Sequence, residues 1–252
     1  MGTEKNHVRA TETSLSVLDA LKQLDGARAT DVASFLDVPV STTHNHLQTL
    51  LKEGYVIKTD EEYRLSLRFL HLGEYARSAY DVYEIAKPII DDLADETAEV
   101  ANLLVPEGGR GIYLHKAKGD NAVHHDTRPG KYVELHCTAL GKSILASLPR
   151  AEVDDIIDTH GLSALTNQTI TDTDELFEEL DRINERGYAE NKGERNERLW
   201  CVASPLMDDD EVIGAISVSG PKTRMKGRRF EEEIPELILE AANVIEINLE
   251  YR

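Results

Sequence analysis

Apolar positions in the first 65 residues come in short bursts at helical spacing and then change to an alternating period. Leu15, Val17, Leu18, Leu21 and Leu24 mark a helix over 13–24, and Val32, Ala33 and Leu36 mark a second with Thr30 as its N-cap. Asp37-Val38-Pro39 interrupts it, because Pro39 has no amide to donate and biases Val38 away from the α region. Ser41 is placed as the cap of a third helix, whose inner stripe of Thr43, Leu47, Leu50 and Leu51 runs to the stop at Gly54. Tyr55-Val56-Ile57 and Tyr63-Arg64-Leu65 then read as strands around the polar turn 58–62. Two short helices, a tight turn and a hairpin outline a winged helix-turn-helix over residues 1–65.

The outer face of the third helix gives this outline a chemistry. At about 100° per residue, the side opposite Leu47 and Leu50 carries Ser41, Thr42, Asn45, Gln48, Thr49 and Lys52. An amide side chain bonds bidentately to adenine in the major groove, and hydroxyls suit phosphate or either base edge. With His46 and the wing's Arg64, these residues are the candidate contacts to double-stranded DNA. A solvated helix face would look the same in isolation; the hairpin that follows is what favours DNA. Ser66 is placed as the cap of a linker helix over 66–80, with Leu67, Leu70, Tyr75, Ala76 and Ala79 among its less polar positions. A dimer through such a helix suits paired half-sites, which need two recognition helices about 34 Å apart.

From residue 81 the pattern becomes mixed. Helices are expected over 82–96, with Pro88 as a kink, and over 138–148, 152–160, 172–186 and 231–249. Strands are expected over 99–105, 111–118, 122–126, 132–135, 188–190, 200–204 and 212–219. Hairpins with helices interspersed, and no steady βαβ rhythm, predict an α+β domain over 81–252 with a mainly antiparallel sheet.

Composition adds three bounds. No apolar run approaches the roughly 18 residues of a membrane helix, no signal peptide is seen, and two cysteines imply no disulfide framework, so a cytoplasmic protein is expected with no membrane partner. The net charge of −19 divides unevenly, −2 over residues 1–80 and −17 over 81–252. DNA-binding surfaces are usually basic. Twelve Lys against 20 Asp and 27 Glu suggest a halophilic source instead, since in molar salt the Debye length falls to about 3 Å and a basic surface gains little.

Candidate ligand chemistry gathers in Leu135-His136-Cys137-Thr138-Ala139-Leu140-Gly141-Lys142, where Thr138 caps a helix whose first-turn amides suit an anion. It gathers also on strands 200–205 and 214–221, where Ser217 and Ser219 share a face with Ala215. Adjacent His136 and Cys137 would point oppositely in an extended segment, which disfavours a cysteine nucleophile. His124, His125, Asp126, His136 and Cys137 lack the usual ligand spacing, so neither a metal nor another cofactor is expected. A redox or metal sensor using Cys137 and Cys201, and a winged-helix module that binds protein, remain as rivals.

The segments 135–142, Thr169-Ile170-Thr171, Gly187-Tyr188-Ala189, Glu194, Cys201-Val202-Ala203-Ser204-Pro205 and Ser217-Val218-Ser219-Gly220-Pro221 resemble those of the isocitrate-lyase-regulator family, IclR. The likeness spans nearly the whole chain. It implies a non-enzymatic transcription regulator: a winged helix-turn-helix joined by a linker helix to a GAF/PAS-like effector domain. Its partners would be a DNA operator, a small effector, often a carboxylate, and further copies of itself in a homodimer or homotetramer. The resemblance implies Cys201, Ser217 and Ser219 as effector contacts, with Cys137, Ala139 and Gly141 nearby. Asn191 stands where members often carry an acid, and Asn45 where an arginine is frequent.

Overall fold

Helix-forming side chains fill residues 9–23, and Val17, Ala20 and Leu21 recur at the three- and four-residue spacing that buries one stripe of a helix. The computed structural model describes residues 7–123 and 126–251 in two units, 1–76 and 77–252. In the first unit, α1 (Arg9–Gln23), α2 (Ala29–Leu36) and α3 (Val40–Lys52) enclose Val17, Leu21, Val32, Leu47 and Leu50. The antiparallel hairpin β1 (Val56–Thr59) and β2 (Glu62–Leu65) closes this core with Val56 and Tyr63, and α4 (Arg68–Arg77) follows.

Two caps differ from expectation. Thr30 lies inside α2, and the helix opens after Arg28, whose amide donates to the Asp31 carboxylate at 3.3 Å. Ser41 also lies inside its helix: Pro39, at φ −53°, accepts from the Thr43 amide at 3.0 Å and starts α3. Proline's fixed φ already matches a helix start, so no hydroxyl is required. Asp37 supplies the turn between the helices from the left-handed region, φ 53°. Ser66 stands two residues before α4 and accepts from the Arg68 amide at 3.2 Å, and α4 runs from Arg68 to Arg77, short of the expected residue 80.

The second unit is built on one six-stranded antiparallel sheet, ordered β5-β4-β3-β8-β7-β6. In chain order it comprises α5 (Val82–Thr97), β3 (Val100–Glu107), β4 (Arg110–Lys118), β5 (Tyr132–Val133) and α6 (Ala139–Ala146). Then come α7 (Arg150–His160), α8 (Thr173–Arg186), β6 (Ala189–Lys192), β7 (Leu199–Asp208) and β8 (Glu211–Pro221). A π-turn, Arg229–Glu233, leads into α9 (Ile234–Glu250). Alternation along the strands sends Leu103, Leu114, Val202 and Val218 to a face covered by α5 and α9. The other face, with Leu104, Tyr113, Ala203 and Ala215, packs on α6, α7 and α8. The fold is α+β, as expected.

The strand expected over 122–126 does not form among the described residues: Ala122, Val123 and Asp126 lie outside any strand, and His124 and His125 lie outside the described residues. The reason is local, since the Ala122 amide donates to Gly119 in a tight turn and the Asn121 amide to Ala98. No described helix is long and apolar enough to cross a membrane.

Candidate functional site

Burial of Thr43, Leu47 and Leu50 fixes how α3 is rotated, and Ser41, Thr42, Asn45, Gln48, Thr49 and Lys52 are all exposed. Among the described residues the Asn45 amide side chain makes no hydrogen bond, so its donor and acceptor both face outward. Thr49 donates back to the Asn45 carbonyl at 2.9 Å, and Gln48 Nε2 donates to the Tyr63 hydroxyl at 3.0 Å, coupling the helix to the wing. His46 is half-buried, with Nδ1 2.8 Å from Ser14 Oγ on α1, so one ring nitrogen is engaged within the unit. His44, which the stripe argument passed over, is exposed; it lies three residues after Ser41 and four before Gln48, a spacing that could have found it. Arg64 is exposed on β2 and paired with Glu62 at 3.2 Å.

In the second unit a cavity of about 380 Å³ opens between the sheet and the start of α6. Thr138 caps α6, its hydroxyl accepting from the Gly141 amide at 2.9 Å, and Thr138, Ala139 and Leu140 line the cavity. The amides of that first turn have no intrahelical acceptor, which makes the wall electropositive. Asn191, Cys201 and Ser219 face the cavity from one cross-strand row of β6, β7 and β8. A bulge between Leu103 and Leu104 changes the register of β4, so Tyr113 lies opposite Leu104 and walls the cavity. Cys137, Asp126, Thr127, Leu165, Arg195, Asn196 and Leu199 complete the lining.

Two expected contacts lie elsewhere. Ser217, two residues from Ser219 and one row deeper, is fully buried and accepts from Asn102 Nδ2 at 3.4 Å. Gly141 does not line the cavity; a Cβ there would lie 2.1 Å from the Leu135 carbonyl oxygen, so its small size serves close backbone packing.

Asn191 is a buried anchor. Its Nδ2 donates to the Cys137 carbonyl at 2.8 Å, and its Oδ1 accepts from the Gly193 and Glu194 amides, each at 3.1 Å. An aspartate could accept those two but could not donate to Cys137. Thr166 and Thr169 grip the same loop from outside, donating to the Gly193 and Glu194 carbonyls at 2.8 and 2.5 Å. Beneath it, buried Lys142 reaches Glu194 Oε1 at 2.6 Å and Glu179 Oε1 at 3.7 Å.

Both thiols are free. Burial pushes Cys137 up to about 12 and Cys201 up to about 11, the latter against hydrogen bonds from Ser219 and Ser217 that favour the thiolate. Both shifts favour the neutral thiol over the thiolate. His136 is buried, with Nε2 3.1 Å from the Ser163 carbonyl, and no group of three or more metal-ligating side chains occurs among the described residues.

Residues 10–60 match the family profile of the IclR helix-turn-helix domain, and residues 75–247 that of the bacterial transcriptional regulator IclR C-terminal domain. The chain belongs to the IclR family. A probable HTH-type transcriptional regulator ArcR from the halophilic archaeon Halobacterium salinarum is 32% identical over 252 residues, covering 98% of this chain and 96% of that one. The crystal structure of Thermotoga maritima IclR superposes with a TM-score of 0.82 at 27% identity, over 96% of this chain and 99% of that chain. An IclR homologue from Microbacterium hydrocarbonoxydans, in complex with 4-hydroxybenzoate, shares the fold with a TM-score of 0.80 at 22% identity, over 95% of this chain and all of that one. IclR proteins are transcriptional regulators, not enzymes, with a DNA-binding N-terminal part and an effector-binding C-terminal domain.

Proposed function

We propose that this IclR regulator reads an operator through the exposed face of α3, and that a small carboxylate or sugar acid in the cavity of the second unit modulates that reading. One observation carries the choice of ligand: Arg195 and the first turn of α6 converge on the same cavity of about 380 Å³. A guanidinium and free helix amides both favour a carboxylate. That volume, near the lower end of small-molecule sites, suits a compact metabolite. 4-Hydroxybenzoate, the compound bound by the Microbacterium homologue, is itself a small carboxylate. Cys137, Ala139, Asn191, Cys201 and Ser219 would form the effector wall, with Gly141 and Ser217 supporting it from behind.

On this reading residues 1–65 hold DNA, 66–80 link, and 81–252 sense. Leu67 and Leu70 of the linker segment are 83% and 59% exposed, an apolar surface suited to a second copy in a cytoplasmic homodimer or homotetramer. The acidic surface and the Halobacterium relative support function in concentrated salt.

Asn45→Ala tests the DNA assignment. It is expected to weaken operator binding by about 1–3 kcal/mol and to relax selectivity at one base position. Fluorescence anisotropy with single-base operator variants in molar KCl would show it; unchanged affinity across all sequences would remove Asn45 from the interface.

A further inference from the structure

We propose that Arg195 is the residue that selects a carboxylate ligand, and that Asp126 occupies Arg195 as an internal counter-ion which the ligand's carboxylate replaces. The inference rests on the effector cavity described above and deepens it. Arg195 Nη2 lies 3.1 and 3.0 Å from the two carboxylate oxygens of Asp126, and both residues line the cavity. A single nitrogen serves both oxygens. Among the described residues Nε and Nη1 carry no hydrogen bond, so most of the guanidinium fork is uncommitted.

The pair is lopsided. The Arg195 side chain is 22% exposed and that of Asp126 is 66% exposed, which puts the cation inward and the acid toward solvent. Asp126 also has a second cation, Lys131 Nζ. Desolvation works to raise the Asp126 pKa, but the Lys131 hydrogen bond and the Arg195 charge outweigh it and hold the carboxyl below its usual range. Giving up Arg195 thus leaves Asp126 solvated and still paired. An incoming carboxylate restores the same charge balance on Arg195, whereas a neutral ligand cannot take over an ion pair.

The backbone that carries Arg195 is fixed before any ligand arrives. Asn191 accepts from the two preceding amides, Thr169 donates to the Glu194 carbonyl, and the Glu194 side chain is buried against Lys142. Preorganisation of this kind lowers the ordering cost of binding.

The test is calorimetric titration in molar KCl with pyruvate, 4-hydroxybenzoate and the two corresponding amides. Wild type is expected to bind at least one acid about tenfold or more tighter than its amide, a discrimination that Arg195→Gln abolishes and Arg195→Lys keeps in part. Asp126→Asn, which removes the competitor at nearly constant size, should tighten the acid several-fold and leave the amide unmoved. Wild-type acid binding retained in Arg195→Gln would overturn the assignment while leaving a carboxylate effector in the cavity standing. Weaker acid binding by Asp126→Asn would overturn the exchange. No binding of any probe to wild type would overturn both this inference and the carboxylate reading. Circular dichroism of the free variants checks folding; should Arg195→Gln fail to fold, the Lys and Asn variants decide.

Discussion

Lys142→Met is expected to cost about 3–5 kcal/mol of folding stability at pH 8, because it strands a buried carboxylate. Glu194 is 7% exposed, Lys142 is the one cation within ion-pair distance of it among the described residues, and Glu194 Oε2 makes no hydrogen bond there. Glu179, the second acid near Lys142, has Arg182 and Arg186 at 3.0 and 3.1 Å and is not stranded. Burial raises the Glu194 pKa, and the charge and hydrogen bond of Lys142 pull it back only in part. Removing Lys142 sends it higher.

The pH dependence follows from that direction. A carboxyl whose folded pKa lies above its unfolded value, about 4.3, favours the folded state at low pH, and that contribution is lost as pH rises through the folded pKa. The deficit of Lys142→Met should accordingly be larger at pH 8 than at pH 5, because a raised pKa brings Glu194 nearer its neutral form as pH falls. Urea unfolding of wild type and variant at both pH values in matched KCl measures it. A double variant with Glu194→Gln should recover much of the loss, since no charge then remains unpaired. A deficit below about 1 kcal/mol and flat with pH would mean the Lys142–Glu194 pair is no more than an ordinary surface ion pair.

Gly141→Ala should cost about 3 kcal/mol, the upper end of the usual range for overpacking. The added Cβ would lie 2.1, 2.4 and 2.6 Å from the carbonyl oxygen, Cα and carbonyl carbon of Leu135. These are backbone atoms, so no side chain can swing aside. The first turn of α6 must lift from the segment before it, which also displaces the amides that line the cavity. Thermal unfolding would show the loss directly, and a midpoint equal to wild type would mean that the approach of α6 to Leu135 relaxes freely.

Legibility in the sequence divides along local and long-range lines. The α3 stripe, the Thr138 cap, which accepts an amide three residues on, and the two-period of β7 and β8 are properties of neighbouring residues, and all could be read directly. Ser41 misled because two valid N-cap signals stood side by side and Pro39, with its preset φ, prevailed. Period two put Ser217 and Ser219 on one face correctly but says nothing about depth, and Ser217 is covered. Gly141 belongs to a motif that is easily taken for ligand contact, while its backbone approach to Leu135 appears only in three dimensions. Arg195 could not have been found in advance. It reaches the cavity through a loop held by Thr166, Thr169 and Asn191, at separations of 25 residues or more for the threonines. Tyr113 depends on a bulge for which no residue type gives a signal.

The central claim is that α3 lies in the major groove and that filling a cavity in the other unit changes how DNA is held. Hydroxyl-radical footprinting on genomic fragments in molar KCl, with and without a carboxylate that binds the cavity, tests both halves at once. Two protected windows about one helical turn apart, roughly 34 Å, are expected, with their occupancy altered by the carboxylate and weakened by Asn45→Ala. Protection absent from every fragment, or present yet indifferent to both the carboxylate and Asn45, would contradict the account.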